Sequence, residues 1–353
     1  MVGTRPQFIK AAPVSRALRA AGLDETLVHT GQHYDPRLSR KFFDELQLPA
    51  PELNLQVGSD SHACQIARML ERLEDVFLER RPDAVLVYGD TNSTLAGALA
   101  AAKLGLPLAH VEAGLRSFDR SMPEELNRIL TDHASDLLFC PTATAVENLR
   151  REGIARGVSL PGDVLLDAMR LFQRQAPDAL GALGLKPRRY LLATIHRPAN
   201  RDDAAVLARL MDILAALEEP VLFPMHPGTR ARLNEQTALL KRLAAARRLR
   251  ILEPAGYLEM LALERDARLI LTDSGGVQRE AFFLGVPCVT LREATEWVET
   301  VRSGWNVLVG SDPEKLRAAV GKRDWPAGPP PACFGDGRAA ERIASELARH
   351  AGG

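Results

Sequence analysis

The chain has few cysteines, few aromatic residues and no excess of either charge, and each shortage excludes something. Four cysteines, Cys64, Cys140, Cys288 and Cys333, occur in 353 residues. None forms a C-x-x-C pair, and their wide spacing fits no zinc site. Cys140 and Cys288 fall in apolar, strand-like runs and are expected to be buried, reduced thiols of a cytoplasmic protein. Lys plus Arg and Asp plus Glu are 45 each, giving a formal net charge of zero, without the basic excess of a nucleic-acid binder. The densest basic run, Arg247-Arg248-Leu249-Arg250, reads as a solvated helix end. No apolar stretch approaches the roughly 18 residues needed to span a bilayer, and no signal peptide precedes the first motif. Neither G-x-G-x-x-G nor a Walker G-K-[ST] loop occurs, so no dinucleotide cofactor is expected. His196 and His226 have no third ligand at a recurring spacing, so no metal is expected either.

What is present is an α/β pattern. The length suits two domains. A hydrophobic content of 46% and a charged content of 25% are those of a globular protein. Short apolar runs alternate with amphipathic helical stretches, which argues βαβ units and parallel sheets. Strands are expected at 25–29, ending at Tyr88, at 106–111, 137–140, 190–195, 220–225, 249–252, 269–272 and 286–291. Helices are expected at 63–79, 93–104, 124–134, 142–152, 164–176, 203–217, 229–247, 257–265, 277–284, 312–320 and 337–350. Prolines 177 and 187 interrupt the pattern. The domains are therefore drawn as 1–166 and 167–331, with 332–353 as a terminal helix after the Pro/Gly connector 326–331. The first glycine-led turn begins at Gly3, leaving only Met1 and Val2 for a strand that usually needs about five or six residues. The expectation is a start that omits part of this strand.

Polar residues with chemical potential follow the apolar runs. Arg5 follows Met1-Val2, Asp90 follows 85–88, Glu112 closes 108–111, His196 follows 190–195, and Ser274-Gly275-Gly276 follows 269–272. In an open parallel sheet the carboxyl ends of the strands form the ligand crevice, and two such sheets facing each other would gather these positions. Asp273-Ser274-Gly275-Gly276 leads into a helix, whose unpaired N–H groups and dipole suit a phosphate. Gly3-Thr4-Arg5-Pro6 is a second glycine-led helix start, with Arg5 and Lys10 as cations for a diphosphate and Pro6 suited to the first turn. Asp90, Glu112 and Glu124 are carboxylates that could meet. Close carboxylates raise one another's pKa and yield an acid and a base near neutrality, which suits breaking a C–H bond beside a leaving group. Taken singly, each is better explained by a helix cap or a salt bridge to Arg116 or Arg128; together, in this placement, the three argue for function.

The runs Gly3-Thr4-Arg5-Pro6, Thr30-Gly31-Gln32-His33, Gly89-Asp90-Thr91, His110-Val111-Glu112-Ala113-Gly114-Leu115-Arg116, Pro123-Glu124-Glu125 with Asn127-Arg128, Asp273-Ser274-Gly275-Gly276 with Gln278 and Glu280, and Gly335-Asp336-Gly337 with Arg342-Ile343 resemble the non-hydrolysing UDP-N-acetylglucosamine 2-epimerases. They occur in the family order over essentially the whole chain. The resemblance implies two Rossmann-like parallel-sheet domains facing a cleft, of the glycosyltransferase-B type, with the terminal helix returning to the first domain. It implies a UDP-sugar substrate, no cofactor, and inversion at C2 by elimination of UDP to a 2-acetamidoglycal and re-addition, in surface-polysaccharide precursor synthesis. By motif match Arg5, His196, Tyr257, Ser274, Gly275, Gly276, Glu280 and Arg292 are expected to hold the nucleotide. Lys10, Asp90, Glu112, Glu124, Arg128 and His196 are expected around the reacting sugar. Gln32 and His33 mark where regulated members bind a second UDP-sugar. A homodimer is expected.

Three positions depart from the commonest pattern. Gln7 stands where Glu is usual, Trp297-Val298-Glu299 follows Thr295-Glu296 where Arg-Pro-Glu is usual, and Leu258-Glu259-Met260 follows Tyr257. These variants resemble the branch acting on UDP-2,3-diacetamido-2,3-dideoxyglucuronate, which is the alternative substrate. A glycosyltransferase of the same fold is the alternative of another class, with UDP release that depends on an acceptor. A non-catalytic UDP-sugar binder is a third, and it would keep its affinity without Asp90 or Glu112.

Overall fold

The computed structural model describes residues 1–32, 43–178 and 180–351. The chain divides into two compact units, Met1–Phe172 with Ala332–Gly353, and Gln173–Pro331. The division follows Phe172 rather than residue 166, so the helix Val164–Phe172 stays whole in the first unit.

The first unit runs α1 (Arg5–Ala20), β1 (Val28–His29), β2 (Leu53–Asn54), α2 (His62–Arg80), β3 (Val85–Tyr88), α3 (Asn92–Lys103), β4 (Leu108–Val111), α4 (Pro123–Ala134), β5 (Leu137–Phe139), α5 (Ala143–Arg151), β6 (Val158–Ser159) and α6 (Val164–Phe172). All its strand pairings are parallel: β1 with β2, and β3 through β6 in sequence order. The two sheets are joined by the first two residues. Val2 forms a parallel bridge to His29, and the Met1 ammonium donates to Leu86 O at 2.8 Å. The chain therefore starts in mid-sheet, steps to β1 and β2 on one side, and returns to β3 on the other. Such a reversal of strand order is where an open α/β sheet binds ligands. Arg5 and Asp90 lie beside it.

The apolar spacing of α2 buries Met69, Leu73 and Phe77 at i, i+4 and i+8 against Val85, Val87 and the alanines of α3. Left-handed Gly105 (φ 68°) and Gly153 (φ 80°) follow the ends of α3 and α5, as glycine permits. The C-terminal helix Ala339–Ala351 packs on α1 and α6. Asp167 of α6 meets its first turn, accepting from Ala340 N at 2.8 Å.

The second unit holds β7 (Leu191–Thr194), α7 (Pro198–Arg201), α8 (Ala204–Ala216), β8 (Val221–Pro224), α9 (Pro227–Asn234), α10 (Thr237–Ala245), β9 (Leu249–Leu252), α11 (Tyr257–Asp266), β10 (Leu269–Thr272), α12 (Gly275–Phe283), β11 (Cys288–Thr290), α13 (Val298–Arg302), β12 (Asn306–Leu308) and α14 (Pro313–Gly321). Its six parallel strands run in the order β12-β11-β10-β7-β8-β9. Alternate residues of β7 and β10 enter opposite cores: Leu191, Ala193, Leu269 and Leu271 on one face, Leu192 and Ile270 on the other. Both faces of the sheet are thus covered, as its near-continuous apolar strands require. The order reverses between β7 and β10, whose ends carry His196 and Ser274.

Three sequence expectations need correction. The stretch 229–247 is two helices, α9 and α10, not one. Leu233 and Leu239 are six residues apart, roughly 240° around a continuous helix. The break at Gln236 (φ −113°, ψ 67°) lets both enter the same core. The stretch 164–176 is α-helical only to Phe172 and then 3-10 over Gln173–Gln175. The basic run belongs to β9 and its approach rather than to a helix end, although Arg247, Arg248 and Arg250 are exposed. Cys140 and Cys288 are buried thiols without a disulfide. Among the described residues no helix is long and apolar enough to cross a membrane.

Candidate active site

In the first unit the register Tyr88↔Val111 sets the ends of β3 and β4 side by side, with Asp90 and Glu112 just beyond them. The sequence argument pairs these carboxylates with each other; the structure gives each its own cation. Lys10, one-tenth exposed, forms an ion pair with Glu112, whose side chain is 3% exposed. Arg128, with its side chain 1% exposed, pairs with Asp90, which keeps 31% exposure. Gly89 permits this crowding, because a Cβ there would lie 3.2 Å from Lys10 Nζ and 3.5 Å from Glu112 Oε2. Glu112 itself holds a left-handed backbone (φ 75°), which is strained for a residue with a Cβ. Arg5 is the first residue of α1, half-buried behind the N-cap Thr4.

Glu124 and Glu125 open α4, and the structure separates them. Glu125 is buried, accepting from Ser117 N at 2.9 Å, Phe118 N at 2.8 Å and Arg128 Nη1 at 2.7 Å. Glu124 is half-buried, and no hydrogen bond or ion pair engages its carboxylate among the described residues. Arg128 thus bridges Glu125 and Asp90. Behind them lies a buried chain that sequence reasoning missed. His110 Nδ1 meets Asp132 Oδ1 at 2.8 Å, Arg116 Nη1 donates to Asp132 Oδ2 at 2.6 Å, and Arg116 Nε donates to Glu152 Oε1 at 2.7 Å. Burial works against the Asp132 charge, but His110 and Arg116 outweigh it and hold the carboxyl below its ordinary value. Gln32 accepts from Ser93 N at 3.1 Å and Ser93 Oγ at 2.6 Å, at the start of α3. His33 lies outside the described residues.

In the second unit Ser274 caps α12, accepting from Val277 N at 3.4 Å. Asp273 is sunk beneath it, accepting from His196 N at 3.1 Å, Arg197 N at 3.0 Å and Asn200 Nδ2 at 3.1 Å. Burial opposes its charge, yet His196 and these donors bring the carboxyl down to about 2. His196 Nδ1 also stands 3.1 Å from Asp273 Oδ1, and its ring, 38% exposed, lies 5.9 Å from the ring of His226. His226 is itself a helix cap, accepting from Gly228 N at 3.1 Å. Gly275 leaves no room for a side chain, since a Cβ would lie 2.8 Å from both Glu296 Oε1 and Trp297 Nε1. At Gly276 the nearest such atoms are Ser274 Oγ at 3.7 Å and Glu280 Oε2 at 3.9 Å, so this face of the helix start is open.

Behind α12, Tyr257, Glu264 and Glu280 form a buried acidic group. Burial, then the charges of Glu280 and Glu264, pushes the Tyr257 phenol well up. Burial followed by the charge of Glu280 does the same to the Glu264 carboxyl. Arg292 Nη2 pairs with Glu296 Oε2 at 2.8 Å, and Arg197 Nη2 reaches the other oxygen at 3.8 Å. Trp297 is buried with the Arg279 guanidinium 3.7 Å over its ring, a cation–π contact. Among the described residues no group of three or more His, Cys, Asp or Glu could hold a metal ion.

The sequence argument therefore named the strand ends and helix starts but missed Glu125, His110, Asp132 and Glu296. The only local sign was the spacing of Glu125 to Arg128, an i, i+3 pair on one helix.

Two parallel α/β units, each with its candidate residues beyond the strand ends beside a reversal of strand order, define the glycosyltransferase-B class of fold. A family model described as UDP-N-acetylglucosamine 2-epimerase matches residues 16–348. A UDP-N-acetylglucosamine 2-epimerase homolog of Methanococcus maripaludis is 49% identical over 98% of both chains. The UDP-2,3-diacetamido-2,3-dideoxy-D-glucuronate 2-epimerase of Pseudomonas aeruginosa is 47% identical over 99% of this chain and 98% of its own. The Methanocaldococcus jannaschii UDP-GlcNAc 2-epimerase, crystallised with UDP-GlcNAc and UDP, superposes with a TM-score of 0.90 at 44% identity, covering 99% of this chain and 98% of that one. The chain belongs to the UDP-N-acetylglucosamine 2-epimerase family.

Proposed function

We propose that the protein is a non-hydrolysing UDP-N-acetylglucosamine 2-epimerase. The observation that carries the reading is the pairing at adjacent strand ends: Glu112 on Lys10 and Asp90 on Arg128. Two carboxylates, each with a buried cation, can exchange protons while the charge of the site stays compensated. A base removes the proton at C2, the C1–O bond breaks, and UDP leaves with the electron pair. The resulting 2-acetamidoglycal is protonated at C2 from the other face, and UDP adds back at C1. Asp90, Glu112 and Glu124 are the proposed proton carriers, with Lys10 and Arg128 holding the charge. Arg5, His196, Tyr257, Ser274, Gly275, Gly276, Glu280 and Arg292 are assigned to the UDP. The open start of α12 supports that assignment, because unpaired helical N–H groups and the helix dipole favour a phosphate.

UDP-2,3-diacetamido-2,3-dideoxyglucuronate is the second substrate considered. It is favoured by Gln7 and Trp297, the departures noted above, and by the Pseudomonas aeruginosa relative. The reading carries with it a cytoplasmic homodimer supplying surface-polysaccharide precursors, whose assembly sedimentation equilibrium would measure. The deciding experiment is NMR of the protein with each UDP-sugar in D2O. We expect deuterium at C2 in both epimers of the true substrate. UDP release that requires an acceptor, with C2 unchanged, would reject the epimerase in favour of a transferase.

A further inference from the structure

Phe118 combines two features that a surface residue seldom carries together. It is 75% exposed, more than any other large apolar residue described, and its backbone is left-handed (φ 58°). A single exposed apolar side chain is ordinary, but a bulky residue at positive φ is a strained outlier. The strain is imposed by fixed neighbours. Buried Glu125 accepts from Ser117 N at 2.9 Å, Ser117 Oγ at 2.8 Å and Phe118 N at 2.8 Å. Beyond Phe118, the Asp119 side chain accepts from Ser121 N at 3.0 Å and its carbonyl accepts from Met122 N at 3.2 Å. The turn is therefore closed on both sides of a residue that glycine could replace without strain.

We propose that Phe118 is a specificity-determining residue that packs on the methyl of the acetamido group at C2 of the substrate. This rests on the epimerase reading, in which Asp90 attends C2. The loop 117–122 runs from the segment after β4, which carries Glu112, to the start of α4, which carries Glu124. It belongs to the carboxyl edge of the sheet, where an open α/β sheet binds ligands. Glu125, which pins Phe118 N, also accepts from Arg128 Nη1 at 2.7 Å, and Arg128 pairs with Asp90. One buried carboxylate thus fixes both the backbone under the ring and the cation on a proposed proton carrier. The chemistry of the side chain selects its occupant. A phenyl ring has no polar handle, so it suits an apolar group, and the acetamido methyl is the apolar group beside the reacting carbon. Both substrates considered above carry it. Backbone strain of this kind persists at ligand clamps and active sites, where it serves the mechanism.

The test uses Phe118→Gly, which removes the ring and relieves the backbone. One methyl in an apolar contact is worth about tenfold at the low end of its range. We expect F118G to raise KM for the true substrate roughly 5- to 10-fold with kcat within about threefold, and its melting temperature to stay level or rise. The 2-formamido analogue of that substrate lacks the methyl, so its KM should differ by less than about twofold between wild type and F118G. Phe118→Leu keeps an apolar surface and should hold KM within about threefold of the wild type. An unchanged KM in F118G, or an equal rise for the substrate and its formamido analogue, overturns the proposal. A lowered melting temperature in F118G marks the ring as a support of the fold and also overturns it. So does a rise in KM that comes with a shift to monomer in sedimentation equilibrium, because a second copy would then be what covers the ring. Calorimetric affinities of UDP-GlcNAc and its formamido analogue for wild type and F118G give the same comparison without turnover. Absence of C2 exchange in the wild type would remove the epimerase reading, and those affinities would still decide the methyl contact.

Discussion

At the strand ends of the first unit, Lys10 and Arg128 lie directly on Glu112 and Asp90. At those of the second, Ser274, Gly275 and Gly276 present the start of a helix, and Asp273 is sunk beneath it. The same residue type does different work in the two places. Asp90 keeps 31% of its side-chain surface and pairs with Arg128, which it shares with Glu125. Asp273 is fully buried and spends its oxygens on His196, Arg197 and Asn200. An aspartate fixed by several donors orders the backbone around it, whereas one that stays partly exposed beside a shared cation is available for chemistry. The first unit therefore carries its charge in side chains that can respond. The second offers backbone dipoles on a rigid support.

The largest effects should come from removing the responsive charges. Asp90→Asn and Glu112→Gln should each lower kcat by about 100- to 10,000-fold, the range of general acid–base contributions. The affinity for UDP, measured by calorimetry, should stay within about threefold. Loss of UDP affinity as large as the loss of rate would erase the division of labour between the units. Deuterium incorporation at C2 should fall in step with kcat, because both need the same proton transfer.

The second contrast is in stability. Asp273→Asn replaces an acceptor of several N–H bonds by a group that presents its own N–H to them. We expect the second unit to lose about 2–3 kcal/mol at neutral pH in urea unfolding, the scale of hydrogen bonds to a charged group. The pH dependence follows from the native pKa of about 2, below the roughly 3.9 of an unfolded aspartate. The unfolded state binds the proton more readily, so the contribution is full above about pH 4 and is lost as pH falls through 2. The gap between wild type and D273N should narrow over that window. A gap that stays constant from pH 5 to pH 2 would mean that the charge of Asp273 is not what orders this turn.

Much of this was legible in the chain, for a physical reason. Parallel strands read as continuous apolar runs, and their ends are marked by glycines and caps. Asp90, Glu112, His196 and Ser274 could therefore be placed at strand ends by local pattern alone. Partner identity was not legible. Glu124 and Glu125 are neighbours of identical chemistry, and nothing in the local pattern places Glu125, rather than Glu124, on Ser117, Phe118 and Arg128. Gln7 reaches Tyr88 across 81 positions and His110 reaches Asp132 across 22, pairings created by the sheet order rather than by spacing. The division of 229–247 into two helices was hidden because each half is a good helix, and only the shared core requires the break.

The smallest effects lie within the second unit, at two adjacent glycines that look equivalent in sequence. A methyl group at Gly275 would meet Glu296 Oε1 and Trp297 Nε1 at 2.8 Å. Trp297 cannot easily retreat, being buried with Arg279 stacked 3.7 Å over its ring. Gly275→Ala should therefore destabilise by about 1–3 kcal/mol, as overpacking does, and weaken UDP binding only as a consequence. Gly276 meets nothing closer than 3.7 Å. Alanine there removes the conformational freedom of glycine in a helix, which by itself is stabilising by roughly 0.5–1 kcal/mol. If the diphosphate rests on this open helix start, Gly276→Ala should leave the melting temperature unchanged or raised, yet weaken UDP about tenfold, or 1.4 kcal/mol. A variant that is at least as stable and binds UDP as well as the wild type would take the diphosphate away from α12. The rigid support would then need another tenant.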